Sequence, residues 1–385
     1  MRDMNLYGIS GLHQYVDAES FGLILDNVNA KYNKAVWRQF ASWGEPTDDR
    51  EWKQGIKKTP ILVRASVLGT HSGKPQRSTL GWEFYGGTLP QVGHGFNITK
   101  DDMIELRKAS KLRNVTFGEA LTDSFIYNSD AMLGGVHNEL SYMVMQAMST
   151  GEIHDVAVDG ARYDFKFQIP DENFLKPDAG KNWYTQDSEG KVTANTSADV
   201  IEDILAFQKY LTDTLNLGVD HWKLSKDLLD KIVLHPSVVT AYKASKNYYH
   251  PDDVKVVRGD VLNWMHTDMK IWPFQEIDFK SRHEEDGKPV ADAPAFDIHN
   301  MVAASRAYRP FEMKCMNSIL RDRVKMGGLD PSTRYTFVED RIAVRNSWQE
   351  DPILNVIDCE LYAGPVFNNV HDYGIATVWE DYKAD

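Results

Sequence analysis

The sequence predicts an α+β chain in which a long ribbon and a long helix precede a region of alternating helix and strand. Three observations carry that expectation. Residues 61–68 and 80–85 alternate apolar and polar side chains with period two, the pattern of strands. Residues 117–149 repeat apolar side chains at spacings of three, four and seven, the pattern of one long helix. From residue 193 onward, short helical and short extended patterns follow one another.

Composition bounds the possibilities. A chain of 385 residues suggests two or three domains, at roughly 100–200 residues each, and can bury a sizeable core without staples. Apolar residues at 42% and charged residues at 26% exclude a mostly disordered or collagen-like chain. No apolar run approaches the ~20 residues of a membrane helix. The opening residues, Met1 to Leu6, start no apolar stretch of signal-peptide length, so secretion by that route is not expected. Cys315 and Cys359 read as free thiols in a reducing compartment, with a single bridge left open. With 56 acidic and 43 basic residues the net charge is −13, which excludes a whole-chain basic footprint for nucleic acid.

Taken in order, residues 17–43 predict a helix, with Phe21, Leu25, Val28, Tyr32, Val36 and Phe40 at spacings of three or four. Residues 44–58, with Pro46, Thr47, Asp48 and Asp49, read as loop. Residues 59–98 predict a long β-hairpin. Ile61, Val63, Ala65 and Val67 alternate with Leu62, Arg64, Ser66 and Leu68, and Leu80, Trp82 and Phe84 alternate with Gly81, Glu83 and Tyr85. Each arm would reach about 25 Å at ~3.3 Å per residue. An isolated two-stranded hairpin is marginal in water, so an apolar face of this length needs a surface to lie on.

Thr99 and Asp102 have capping-box spacing ahead of a helix over 100–112. The long helix follows, with a bend expected at Gly134-Gly135 and Gly151 as its terminating residue. Residues 156–158 and 163–169 form a hairpin around Asp159-Gly160, a type I′ turn signal. Residues 171–190 read as loop. Thr196 and Asp199 cap a helix carrying Val200, Ile204, Phe207 and Leu211. Next come a helix over 224–229, a strand over 232–234 and a helix over 237–245. Strands are expected over 254–257 and 264–271, a loop over 281–294 and a helix over 311–326. Strands over 335–338, 343–347, 353–362 and 375–379 close the chain.

No catalytic constellation emerges. Gly69-Thr70-His71-Ser72-Gly73-Lys74 is one residue short of a phosphate loop, has Pro75 where magnesium needs Ser or Thr, and leads into a strand. His94, between Gly93 and Gly95, has no second ligand at metal spacing, and His283 sits in a charged loop. Cys315 on a helical stretch and Cys359 on a strand read as core. The pairs Asp48-Asp49, Asp101-Asp102 and Asp252-Asp253 read as caps and turns. Trp264, Trp272, Trp348 and Trp379 read as core or interface. Arg107, Lys108, Lys111 and Arg113 form a basic run that is either a solvated face or a patch for an acidic neighbour. What remains is an acidic chain with an arm, a half-apolar ribbon and a long helix, features that suit a subunit interlocking with copies of itself. No catalytic, cofactor or metal residue is nominated. The candidate intersubunit contacts are Ile61, Val63, Val67, Leu80, Trp82 and Phe84.

The order of arm, ribbon, short helix, long helix, hairpin, α/β region and closing strands resembles the HK97 fold of tailed-bacteriophage major capsid proteins. The local match runs through Asn138-Glu-Leu-Ser-Tyr-Met-Val-Met-Gln-Ala-Met-Ser-Thr-Gly-Glu152 and on through Tyr163-Asp164-Phe165, which is similar to the end of the spine helix and the next strands in lambda-type major head proteins. Lys166-Phe167 stand where that family usually has Gly-Arg. The resemblance implies an N-terminal arm (1–58), an extended loop (59–98), a peripheral domain with a long spine helix (99–195 and 351–385) and an axial domain (196–350). It implies hexamers and pentamers closing into an icosahedral shell around double-stranded DNA, assembled in the bacterial host cytoplasm with a separate scaffolding protein or a very short pro-segment, and ending in the virion. It leaves room for a cement protein and a portal, and brings no enzyme activity, cofactor or membrane. The acidic balance suits a wall that must not grip the genome. The competing expectations are an encapsulin-like shell around protein cargo, another virion part, and an enzyme of unrecognised type.

Overall fold

The computed structural model describes residues 18–57, 82–156, 162–186, 188–247, 249–285, 288–291, 294–305, 309–321, 333–350 and 353–379. No helix among them is long and apolar enough to cross a membrane. Helices and strands mix as an α+β chain, and they fall into two compact units.

The first unit draws on residues 1–52, 87–144 and 311–366. Its sheet runs in the order Ala41–Trp43, Phe311–Cys315, Ile353–Phe367, Ile342–Glu350, Thr333–Val338, and Gln91–Thr99 also pairs with Ile353–Phe367. Ala41–Trp43 lies parallel to Phe311–Cys315. The other registered neighbours are antiparallel, with Cys359 opposite both Val344 and His94. Residues 311–315 were expected to be helical. They form a strand because Phe311, Met313 and Cys315 alternate inward while Glu312 and Lys314 face out and pair at 2.8 Å. The remainder of that expected helix from residue 322 lies outside the described residues.

The helix expected over 17–43 is shorter. It covers Ala18–Ala30, continues as a 3-10 turn over Lys31–Lys34, and breaks at Ala35, whose φ of −54° and ψ of 144° are extended. A single turn over Trp37–Phe40 and the strand Ala41–Trp43 follow. Burial of Trp37 and Phe40 in this unit's core redirects the chain against its helical periodicity. The helix Lys100–Arg113 carries the expected capping box between Thr99 and Asp102. The long helix Phe117–Thr150 has a second box that sequence reading missed, Thr116 with Glu119. It buries Leu121, Phe125, Met132, Val136, Leu140 and Met143 along one stripe. The helix runs unbroken through Gly134-Gly135, where both glycines allow close approach. A Cβ on Gly134 would lie 2.6 Å from the Tyr32 hydroxyl, and one on Gly135 would lie 3.0 Å from the His94 ring.

The second unit draws on residues 53–86, 145–310 and 367–385. Its five-stranded sheet runs Phe274–Ile277, His221–Ser225, Asn300–Ala304, Gly374–Thr377, Phe174–Leu175. The outer pairings are parallel and the inner ones antiparallel. Trp222, Leu224, Met301 and Ala303 form one core with side chains of Val200–Lys209, Lys226–Leu234, Pro236–Lys246 and Arg258–Thr267. Five expectations are corrected here. Residues 224–229 divide between the strand His221–Ser225 and a helix, and 232–234 is the last turn of that helix. Leu228, Leu229, Ile232 and Val233 are buried at helical spacing, while Leu234 is 68% exposed. Residues 264–271 were expected to be a strand, but Val261, Trp264 and Met265 face inward from a helix, and 254–257 carries no strand. The cap before Val200 is Asp199 itself, which accepts from the amides of Ile201 and Glu202, and not Thr196.

The long helix ends in this unit as its sequence predicts. Gly151 takes a φ of 74°, where a Cβ would be strained. The Asn300 amide donates to the Ser149 carbonyl at 2.9 Å, and the Tyr373 hydroxyl donates to the Met148 carbonyl. The hairpin Glu152–Val156 with Arg162–Lys166 follows, Ile153 opposite Phe165. Its strand stops short of the expected residue 169, and Asp159-Gly160 lies outside the described residues.

Candidate functional site

The ribbon begins earlier than its sequence suggests. The strand Glu51–Lys57, in a stretch read as loop, pairs with Trp82–Thr88. Of the six candidate contact residues, Ile61, Val63, Val67 and Leu80 lie outside the described residues, and Trp82 opens the second strand. Phe84 is 76% exposed, whereas its neighbour Tyr85 is buried. The Tyr85 hydroxyl donates to the Phe367 carbonyl at 2.5 Å, and the Gln54 amide donates to the same oxygen at 3.0 Å. Period two thus gives the ribbon an inward face fixed by hydrogen bonds and an outward face that presents an aromatic ring to solvent.

Residues 18–43 are held to the first unit by a buried polar network. Trp37 Nε1 donates to His137 Nδ1 at 3.1 Å, so the ring proton is on Nε2, which donates to Asn29 Oδ1 at 2.9 Å. Asn29 donates onward to Glu339 Oε1 at 2.6 Å, Arg38 reaches the same oxygen at 2.5 Å, and Trp43 Nε1 donates to Oε2 at 2.6 Å. Tyr32 stacks on the His137 ring and donates to Asp130 Oδ1 at 2.9 Å. Burial, aided by the Arg38 guanidinium, pushes His137 down to about 4, with Glu339 pulling weakly the other way. Burial works against the Glu339 carboxylate, yet hydrogen bonds from Arg38, Trp43 and Asn29 hold it below the usual range. Glu339 and Asp340 both have positive φ, 51° and 59°, in the turn between Thr333–Val338 and Ile342–Glu350. The network fixes that strained turn. Sequence reading missed it because no local spacing relates Asn29, His137 and Glu339.

A cleft of about 590 Å³ opens on the first unit's sheet, beside Gln91, Gly93, Tyr335, Arg345, Asp358 and Glu360. Arg345 grips Asp358 through Nε at 2.9 Å and through its terminal nitrogen as well, so both charges are committed. Cys359 beside it is buried and its thiol is pushed up to about 12, far from a nucleophile's range. Cys315 is a buried free thiol also raised by burial, in a strand rather than a helix. His94 packs edge-on against Phe96, and no cluster of three metal-ligating groups occurs among the described residues. Trp264, Trp348 and Trp379 are buried, and Trp272 packs on the second unit's core. The arrangement therefore offers packing surfaces and fixed attachments.

No family model matches the chain, and no curated protein matches it. Solved structures do. The chain is similar to a phage-related protein from Bordetella bronchiseptica RB50 at 8% identity, covering 92% of this chain and 95% of that one with a TM-score of 0.46. It is similar to the capsid of Myoviridae phage XM1 at 12% identity, covering 89% and 91% with a TM-score of 0.42. It is similar to the capsid asymmetric unit of cyanophage A-1(L) at 10% identity, covering 89% and 92% with a TM-score of 0.43.

Proposed function

We propose that this chain is the major capsid subunit of a tailed double-stranded DNA bacteriophage, a structural shell protein of the HK97-like fold. The carrying observation is the order of elements along the chain. A helical arm is followed by the ribbon Glu51–Lys57 with Trp82–Thr88, the helix Lys100–Arg113, a helix of 34 residues, a hairpin, a helix-covered sheet and the closing strand Ile353–Phe367. That is the order on which the sequence resemblance rests.

In this reading residues 1–58 form the arm, whose end supplies the ribbon's first strand Glu51–Lys57, and 59–98 form the extended loop. Residues 99–195 with 351–385 form the peripheral domain, and 196–350 the axial domain around the centre of hexamers and pentamers. The loop lies on a neighbouring subunit, which covers the loop's outward face carrying Phe84. Each buried apolar patch contributes at about 25 cal/mol per Å², and a closed symmetric shell multiplies the contacts. A scaffolding protein guides closure, cement and portal proteins are later partners, and the acidic wall encloses DNA without reading its sequence.

Negative-stain microscopy of the expressed chain tests this. Shells, or the tubes and rings that subunits build without their scaffold, are expected, and a chain that stays monomeric at every concentration refutes the reading. Deleting residues 58–81 is expected to leave a folded subunit that makes no shells. Shells of normal size from that deletion would remove the ribbon from the mechanism.

A further inference from the structure

The basic run on the helix Lys100–Arg113 has no role in the contacts described so far. This helix faces inward with Met103, Leu106 and Ser110. Ile104, Lys108, Lys111 and Leu112 stand at i, i+4, i+7 and i+8, share the opposite face, and are all exposed. Leu112 is 89% exposed and Ile104 43%. Arg107 is committed to the Phe117 ring at 5.5 Å, and Arg113 pairs with Asp123 at 3.3 Å. Lys108 and Lys111 have no partner among the described residues. Asp101 and Glu105 lie in the first turns, so the last two turns, residues 107–113, hold four cations and no acid. A chain of net charge −13 thus displays a cationic stripe flanked by two bare aliphatic side chains.

A phosphate backbone would match the lysines but gain nothing from Ile104 and Leu112. An acidic protein surface with its own exposed aliphatic group matches both. The helix Ala18–Ala30 has that chemistry. It contains no basic residue, its outward face carries Leu23, 57% exposed, with Asp26, Asn27 and Ala30 at i+3, i+4 and i+7, and Lys31 just beyond it is paired with Asp130 at 2.9 Å. Phe21, Leu25 and Val28 hold its other face in the core.

We propose that the Ile104, Lys108, Lys111, Leu112 stripe of one subunit docks against the Leu23, Asp26 face of the helix Ala18–Ala30 on a second copy. The two faces differ, so the contact is heterologous and propagates from subunit to subunit until symmetry closes it. The proposal rests on the shell reading above and adds a specific, charge-complementary joint to it. The lysines set register and approach, and the aliphatic groups are what the contact removes from water.

The test uses the full chain and measures the concentration at which particles appear, by light scattering and negative stain. K108E/K111E is expected to raise that threshold at least tenfold, with wild-type circular dichroism and melting because both side chains are exposed. D26K alone is expected to do the same. D26K combined with K108E/K111E is expected to recover most of the loss. Wild-type thresholds for K108E/K111E overturn the joint while leaving the shell reading intact. A triple variant no better than the double also overturns it. A wild-type chain that forms no particles overturns both. A labelled 30-base-pair DNA duplex that binds the wild-type chain and is released by K108E/K111E, with assembly unchanged, assigns the stripe to nucleic acid and overturns the joint.

Discussion

Acidification should loosen the arm of the first unit through one buried ring. His137 is 1% exposed and neutral, accepting from Trp37 and donating to Asn29. Protonating Nδ1 removes the acceptor for Trp37 and places a cation near the Arg38 guanidinium. The ring's folded value is about 4 against an ordinary 6.5. The folded state therefore binds fewer protons than the unfolded chain between those values, and stability falls as pH falls through that window. At about 1.4 kcal/mol per pH unit, the full loss approaches ~3 kcal/mol by pH 4 and is absent above pH 6.5. Carboxylates titrate over the lower part of the same range, so the readout must be a difference. Urea unfolding followed at pH 7, 6, 5 and 4 should show the wild-type chain losing ~3 kcal/mol more than His137→Gln, whose amide can accept and donate without titrating. Parallel pH profiles for the two proteins would refute the assignment of a neutral, hydrogen-bonded His137.

Other substitutions probe packing and exposure. Gly134→Ala should destabilise by ~1–3 kcal/mol in thermal melts, because its Cβ would push Tyr32 off Asp130. Gly259→Ala, in the helix Arg258–Thr267 with open space around it, should be neutral or gain up to ~1 kcal/mol, and equal losses at both sites would contradict the close approach at Gly134. Phe84→Asp should leave folding intact and weaken assembly by about 2 kcal/mol per contact, roughly thirtyfold in association, and a misfolded variant would show that the ring is core. Both cysteines should react with a thiol reagent only after unfolding, and rapid labelling of the native chain would contradict their burial.

Much of this architecture was legible where a single period ran long enough. The stripe from Leu121 to Met143, the Thr99 cap and the strands around Val344 and Ile357 needed only local pattern. Short apolar runs misled. Ile232-Val233-Leu234 looks extended until Leu228 and Leu229 are counted on the same helical face. Phe311 to Met316 looks helical until Glu312 and Lys314 are seen alternating outward. Both are cases where tertiary packing outweighs a weak local preference. In the ribbon, alternation correctly put Phe84 and Tyr85 on opposite faces, but a polar stretch concealed the partner strand at Glu51–Lys57. The buried network around His137 and Glu339 was invisible because its members are joined only by folding.

The first unit's sheet takes its strands from residues 41–43, 91–99, 311–315, 333–338, 342–350 and 353–367. Its central strand, Ile353–Phe367, is the last of these to be synthesised. Until it leaves the ribosome, Ile342–Glu350 is laddered only to Thr333–Val338 and Gln91–Thr99 lacks the strand it pairs with, so loop closure across more than two hundred and fifty residues must wait. Translation itself thus acts as a timer. A growing chain presents part of this sheet, and the first unit's sheet closes only after that strand has been made.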